Sequence, residues 1–188
     1  GKTSLVALLS RFIPPEERVI TIENIPELQL VNREHWVRLV SRSGNVEGQG
    51  EIPLRTLVRN ALRMRPDRMI LGEARGGEAL DVVQAMHLGH DGFITVMHAN
   101  APKAALERLQ MLMLMSGLEV PPSACQMQIA SAVDLVIHMG RLADGSRRVE
   151  RVSQVLGTSA EGFAVEDLFR FEVAAFDPDG TVHGAFQY

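Results

Sequence analysis

The stretch from Arg65 to Asn100, RPDRMILGEARGGEALDVVQAMHLGHDGFITVMHAN, sets two short apolar runs on either side of one helical run. Met69-Ile70-Leu71 follows the charged Arg65-Pro66-Asp67-Arg68 and ends at Gly72-Glu73, and Phe93 to Met97 forms the second run, ending at His98. Between them, from Glu78 to Leu88, Leu80, Val83 and Met86 or Leu88 recur near the helical period, and Gly89 supplies the stop. Strand, helix, strand at this spacing is a βαβ crossover, whose strands are expected to be parallel and buried on both faces. Ligands of such sheets gather at the carboxyl ends of the strands. Those two ends carry an acid, Glu73, and a histidine, His98.

Composition fits a folded α/β domain. The 188 residues suffice for a real core, and 46% apolar with 22% charged residues is ordinary for a globular chain. No apolar run approaches the roughly 18 residues a membrane helix needs, and no signal peptide is visible. A single cysteine, Cys125, excludes an internal disulfide and suits a reducing cytoplasm. A net charge of -4 lacks the basic excess of a nucleic-acid binder. The chain opens at Gly1 inside what reads as a functional motif, so a piece of a longer protein is expected.

Gly1-Lys2-Thr3-Ser4 runs into the apolar Leu5-Val6-Ala7-Leu8-Leu9, which reads as the second half of a P-loop opening a helix. The residue types suit phosphate. Gly1 lets the backbone come close, Lys2 offers a cation to the β and γ oxygens, and Thr3 offers a hydroxyl to Mg²⁺. The helix N-terminus adds partial positive charge. A solvated terminus is the alternative. Arg18-Val19-Ile20-Thr21-Ile22 is β-branched and apolar, hence a strand, ending at a second acid, Glu23, before Asn24 and Pro26. As an isolated residue Glu23 also fits a surface carboxylate in a turn.

Trp36 to Val40 reads as a further strand, and Gly44 to Gly50 as a glycine-rich loop. Pro53 to Met64 reads as an amphipathic helix, apolar through Leu54, Leu57, Val58, Ala61 and Leu62. Its other face carries Arg55, Arg59 and Arg63 and is expected to be solvated, with phosphate or subunit contact the alternative. Pro102 to Met115 is an expected helix, and Pro121-Pro122 restarts the chain into another that runs to about Ala132. Met111, Met113 and Met115 read as core filler rather than soft-metal ligands, and His87 and His90 lack a third ligand. From Leu135 onward the pattern changes to strands separated by Asp144-Gly145 and Asp177-Pro178-Asp179-Gly180, a meander or pair of hairpins.

Taken together, Gly1-Lys2-Thr3, Thr21-Ile22-Glu23-Asn24, the segment from Arg65 to Gly76, and Thr95-Val96-Met97-His98-Ala99-Asn100 resemble the type II/type IV secretion ATPases. These positions look like that family's Walker A, Asp-box, Walker B and His-box motifs in order. The lead-in Ala61 to Asp67 and the tail Phe169-Arg170-Phe171 look most like the Tad/Flp pilus branch. Asn24 departs from the aspartate usual there, and the glycines before Gly1 are missing.

The resemblance implies a RecA-like P-loop NTPase core, a mainly parallel sheet flanked by helices, with antiparallel β-hairpins at the C-terminal end. It implies a nucleotide-binding core over 1–140 and a β-rich extension over 141–188. It implies ATP and Mg²⁺ as cofactors, a homo-hexamer, and inner-membrane platform proteins as partners at the cytoplasmic face of the inner membrane. Gly1, Lys2, Thr3 and Ser4 would bind nucleotide, with Thr3 and Glu23 serving the metal. Glu73 would orient or deprotonate the attacking water, His98 would sense the γ-phosphate, and Arg63 and Arg75 would relay charge or reach a neighbouring subunit. A non-hydrolysing ring subunit, a RecA-like nucleic-acid motor and a small-molecule P-loop kinase are the competing readings.

Overall fold

A computed structural model describes residues 1–31, 33–90 and 92–188. The chain folds into two compact units that no single cut in the sequence separates. One comprises 2–97 with 111–121, and the other comprises 98–110 with 122–188 and Gly1.

The first unit holds a four-stranded parallel sheet in the order β2-β1-β3-β4, from β1 (Val19–Glu23), β2 (Trp36–Val40), β3 (Arg68–Leu71) and β4 (Phe93–Thr95). Every residue of β1 is buried, as expected for an interior strand of Val, Ile and Thr, whereas β2 and β4 lie at the edges and are only partly covered. β4 stops at Thr95, two residues short of the apolar run that announced it. Helix α1 (Lys2–Leu9) continues into a 3₁₀ turn (Ser10–Phe12). Val6 seats α1 in a cluster with Val19, Leu28, Leu30 and Ile70, backed by Trp36 and Ile94.

Helix α2 (Leu54–Leu62) starts directly after Pro53, whose fixed φ suits a helix entry. It buries Leu54, Leu57, Val58 and Ala61. Its arginine face differs from the expected solvated one. Arg55 Nε and Arg59 Nε reach the two oxygens of Asp81 at 2.6 and 2.7 Å, and Arg55 Nη1 donates to the Ser116 carbonyl at 2.9 Å. The partner could not be seen from α2 alone because Asp81 lies on α3 (Glu78–His87), at a position that an apolar period reads as core. Arg59, though paired, keeps its side chain 55% exposed, and Arg63 is exposed as expected. α3 buries Ala79, Leu80, Val82, Val83 and Ala85, each branched side chain contributing about 1.5–3 kcal/mol. It ends before Gly89, whose φ of 87° continues the chain in the left-handed region.

The second unit takes in most of α4 (Pro102–Leu114), then α5 (Pro122–Ala132) and an antiparallel meander of β5 (Leu135–Arg141), β6 (Arg147–Ser159), β7 (Gly162–Phe176) and β8 (Val182–Gln187). α5 packs on β6 and β7, burying Cys125 and Ile129. Burial pushes the Cys125 thiol pKa up, which keeps it in the unreactive protonated form. Lys103 donates to the Glu161 carbonyl at 2.8 Å, tying α4 to the β6–β7 turn. β7 extends to Phe176 because Glu172, Val173, Ala175 and Phe176 still find partners on β8. Among the described residues no helix is long and apolar enough to cross a membrane.

Candidate functional site

The carboxyl ends of β1 and β3 lie side by side. Ile22 pairs with Leu71, and the Gly72 N–H donates to the Ile22 carbonyl at 2.8 Å. A Cβ on Gly72 would sit 3.0 Å from Glu23 Cγ, so a glycine there lets the β3 exit lie against Glu23. Glu23 and Glu73 therefore flank one glycine at one sheet edge.

The two acids are held differently. Glu23 is 3% exposed. Its Oε1 accepts the Glu27 and Leu28 amides at 3.0 and 2.8 Å, closing the turn after β1. Its Oε2 is buried without a hydrogen bond, 3.9 Å from Arg38 Nε. Arg38 itself stacks 4.4 Å above the Trp36 ring and donates to the Leu28 carbonyl. Glu73 is half-buried, and its Oε2 accepts Arg75 Nε at 2.8 Å and Nη2 at 2.5 Å. The hydrogen bond to Glu73 is the main reason the exposed Arg75 guanidinium has its pKa raised.

Beside Arg75 an open cleft of about 300 Å³ is lined by Asn24, Ser41, Arg42, Glu51 and Glu78, among others. Asn24 Oδ1 accepts the Ser41 hydroxyl at 2.6 Å, so the uncharged residue at this strand exit has a neutral partner. Lys2, Thr3 and Ser4 form the first turn of α1 in the same unit, where the leading amides have no intrahelical acceptor. Lys2 and Thr3 are half-buried and Ser4 is exposed. Gly1 and His98 belong to the other unit and are exposed, and Arg63 sits at the C-cap of α2.

Comparison with known proteins gives this arrangement its context. The family described as type II/IV secretion system protein matches residues 1–170. The chain belongs to that family. A Mycobacterium tuberculosis protein named for conjugal transfer is 40% identical over 153 residues, 81% of this chain and 43% of that protein. The type IV secretion system protein VirB11 of Brucella suis is 37% identical over 79% of this chain and 42% of its own length. The crystal structure of the Brucella suis VirB11 ATPase, in complex with sulphate, superposes with a TM-score of 0.72 at 35% identity, covering 81% of this chain and 44% of that one. The pilus retraction motor PilT shares the fold at a TM-score of 0.54 and 16% identity, covering 85% of this chain and 44% of its own. The chain thus spans less than half the length of these relatives.

Two functional-looking residues of this secretion-family chain escaped the motif reading. Glu78 and Asp81, 7% and 8% exposed, are buried acids on α3. Asp81 takes the two α2 arginines, and Glu78 Oε1 accepts the Arg75 and Gly76 amides at 2.6 and 2.8 Å. The visible signal is their spacing: acids three apart in the first turn of a helix otherwise apolar on that side.

Proposed function

We propose that the chain is the nucleotide-hydrolysing core of a secretion or pilus-assembly motor, acting as a homo-hexamer on inner-membrane platform proteins from the cytoplasmic side. The observation that carries this reading is the sheet edge itself, where Glu73 stands beside a buried Glu23 on a turn whose amides are tied down. Glu73 orients or deprotonates the water that attacks the γ-phosphate, a role suited to a half-buried carboxylate. Lys2 and the α1 N-terminus hold phosphate oxygens, with Gly1 and Ser4 beside them. His98 senses the γ-phosphate. Arg75, the partner of Glu73, and the exposed Arg63 answer charge within the site or in a neighbouring subunit. An all-oxygen donor set, including the buried Oε2 of Glu23 that accepts no hydrogen bond, fits Mg²⁺, which Thr3 and Glu23 would hold. When bound, that ion neutralises charge on the β and γ oxygens.

The test is phosphate release from MgATP by the intact protein across a range of concentrations. Turnover per chain is expected to rise as rings form, and Arg63→Ala mixed with wild type is expected to poison them. No release at any concentration overturns the reading. It would favour a non-hydrolysing ring subunit, which Asn24 supports as the second reading because an uncharged amide, its Oδ1 accepting a serine hydroxyl, stands at this strand exit.

A further inference from the structure

After β3 the chain must turn into α3 while leaving Glu73 at the carboxyl end of the strand, and the amides of that turn need acceptors. The Gly72 amide uses Ile22 O at 2.8 Å, and the Ala74 amide uses Val96 O at 2.9 Å. The Arg75 and Gly76 amides both use Glu78 Oε1. One buried carboxylate therefore supplies two of these four anchors, at Arg75, whose guanidinium holds Glu73, and at the residue after it. The surroundings leave it little freedom. A Cβ on Gly76 would lie 3.2 Å from Glu78 Oε2, and one on Gly77 would lie 2.8 Å from Ser116 Cα. α3 is itself held one turn further on by Asp81 and the two α2 arginines.

We propose that Glu78 is a positioning residue for Glu73: by clamping the Arg75 and Gly76 amides it fixes the turn that sets the catalytic carboxylate and its arginine partner. This rests on the hydrolytic reading above. An acid in the first turn of a helix also complements the helix dipole, but that needs only charge, and an aspartate serves it equally well. Clamping two preceding amides with one oxygen needs reach instead, and a glutamine keeps that reach without the charge.

The experiment compares Glu78→Asp with Glu78→Gln in the intact protein. For Glu78→Asp, kcat is expected to fall about 10²-fold, the cost of displacing a reacting group by about an ångström, while KM for ATP stays unchanged. Glu78→Gln is expected to turn over close to wild type. The reverse order, Asp normal and Gln impaired, reduces Glu78 to a helix charge and overturns the proposal. Equal kcat for all three overturns it as well. Amide hydrogen exchange at Arg75 and Gly76 gives a readout independent of turnover: slow in wild type and Glu78→Gln, and faster in Glu78→Asp. If the wild type hydrolyses nothing, the hydrolytic reading fails by itself. The exchange data then decide whether Glu78 holds the turn, and uniform exchange in all three proteins removes that role.

Discussion

The two units use their acids in opposite ways. In the parallel-sheet unit Glu23, Glu78 and Asp81 are buried, and each accepts bonds from groups in another element or turn. In the meander, Asp144, Asp177 and Asp179 sit exposed at hairpin turns. Asp144 accepts the Ser146 and Val182 amides, Asp179 accepts the Thr181 amide, and Asp177 meets His183. Burial explains the difference. A carboxylate withdrawn from water is tolerated only with donors around it, so it ends up fixing whatever carries those donors. A carboxylate at a wet turn organises two or three residues and little else. The first kind builds a site, and the second closes a hairpin.

The largest effect expected from this contrast is chemical. Glu73→Gln keeps the shape of the side chain, so nucleotide affinity should hold while hydrolysis falls roughly 10²–10⁴-fold, the range for a positioned acid or base. Equal rates at saturating MgATP would place Glu73 with the wet acids of the meander. Next comes Glu23→Ala, which strands the buried Leu28 amide along with that of Glu27. About 3 kcal/mol of stability should be lost, read as a shift in the denaturant midpoint. Glu23→Gln keeps the Oε1 acceptor and should recover most of it.

Asp81→Ala should cost less, about 2 kcal/mol. The two guanidiniums it abandons have side chains 27% and 55% exposed, and water partly replaces the lost partner. A larger loss than for Glu23→Ala would mean that the α2–α3 clamp, rather than the strand edge, anchors this unit.

The smallest effect is confined to the meander. Hydrogen bonds from Ser146 and from the Val182 amide hold the Asp144 pKa at about 2, below the ordinary 3.8. A depressed folded-state pKa means that this contribution is complete above pH 3.8 and disappears as pH falls toward 2. Exchange at the Ser146 and Val182 amides should speed up in that window alone. Glu17, whose pKa is lowered chiefly by its hydrogen bond from Arg68, is expected to behave in the same direction below its ordinary 4.5. A change at Val182 near neutral pH would show that something other than Asp144 secures β8.

Much of this was legible in the chain. The βαβ unit, its parallel pairing, the acid pair at the strand ends and the late change to antiparallel strands follow from local pattern. Side-chain period, turn residues and β-branching act within a few residues, and those are the distances a sequence displays.

Other features depend on which segments the sheet brings together. That Arg55 and Arg59 meet at Asp81 and that Gly72 is there to clear Glu23 are contacts between residues far apart along the chain. Glu78 shows the limit most plainly. By itself it reads as an ordinary acid at a helix start, and only burial turns its one oxygen into an anchor for the turn that carries Glu73. Sequence determined the elements and their order. Tertiary structure decided which charges are withdrawn from water, because the strength and specificity of a carboxylate's bonds depend on the solvent that packing removes.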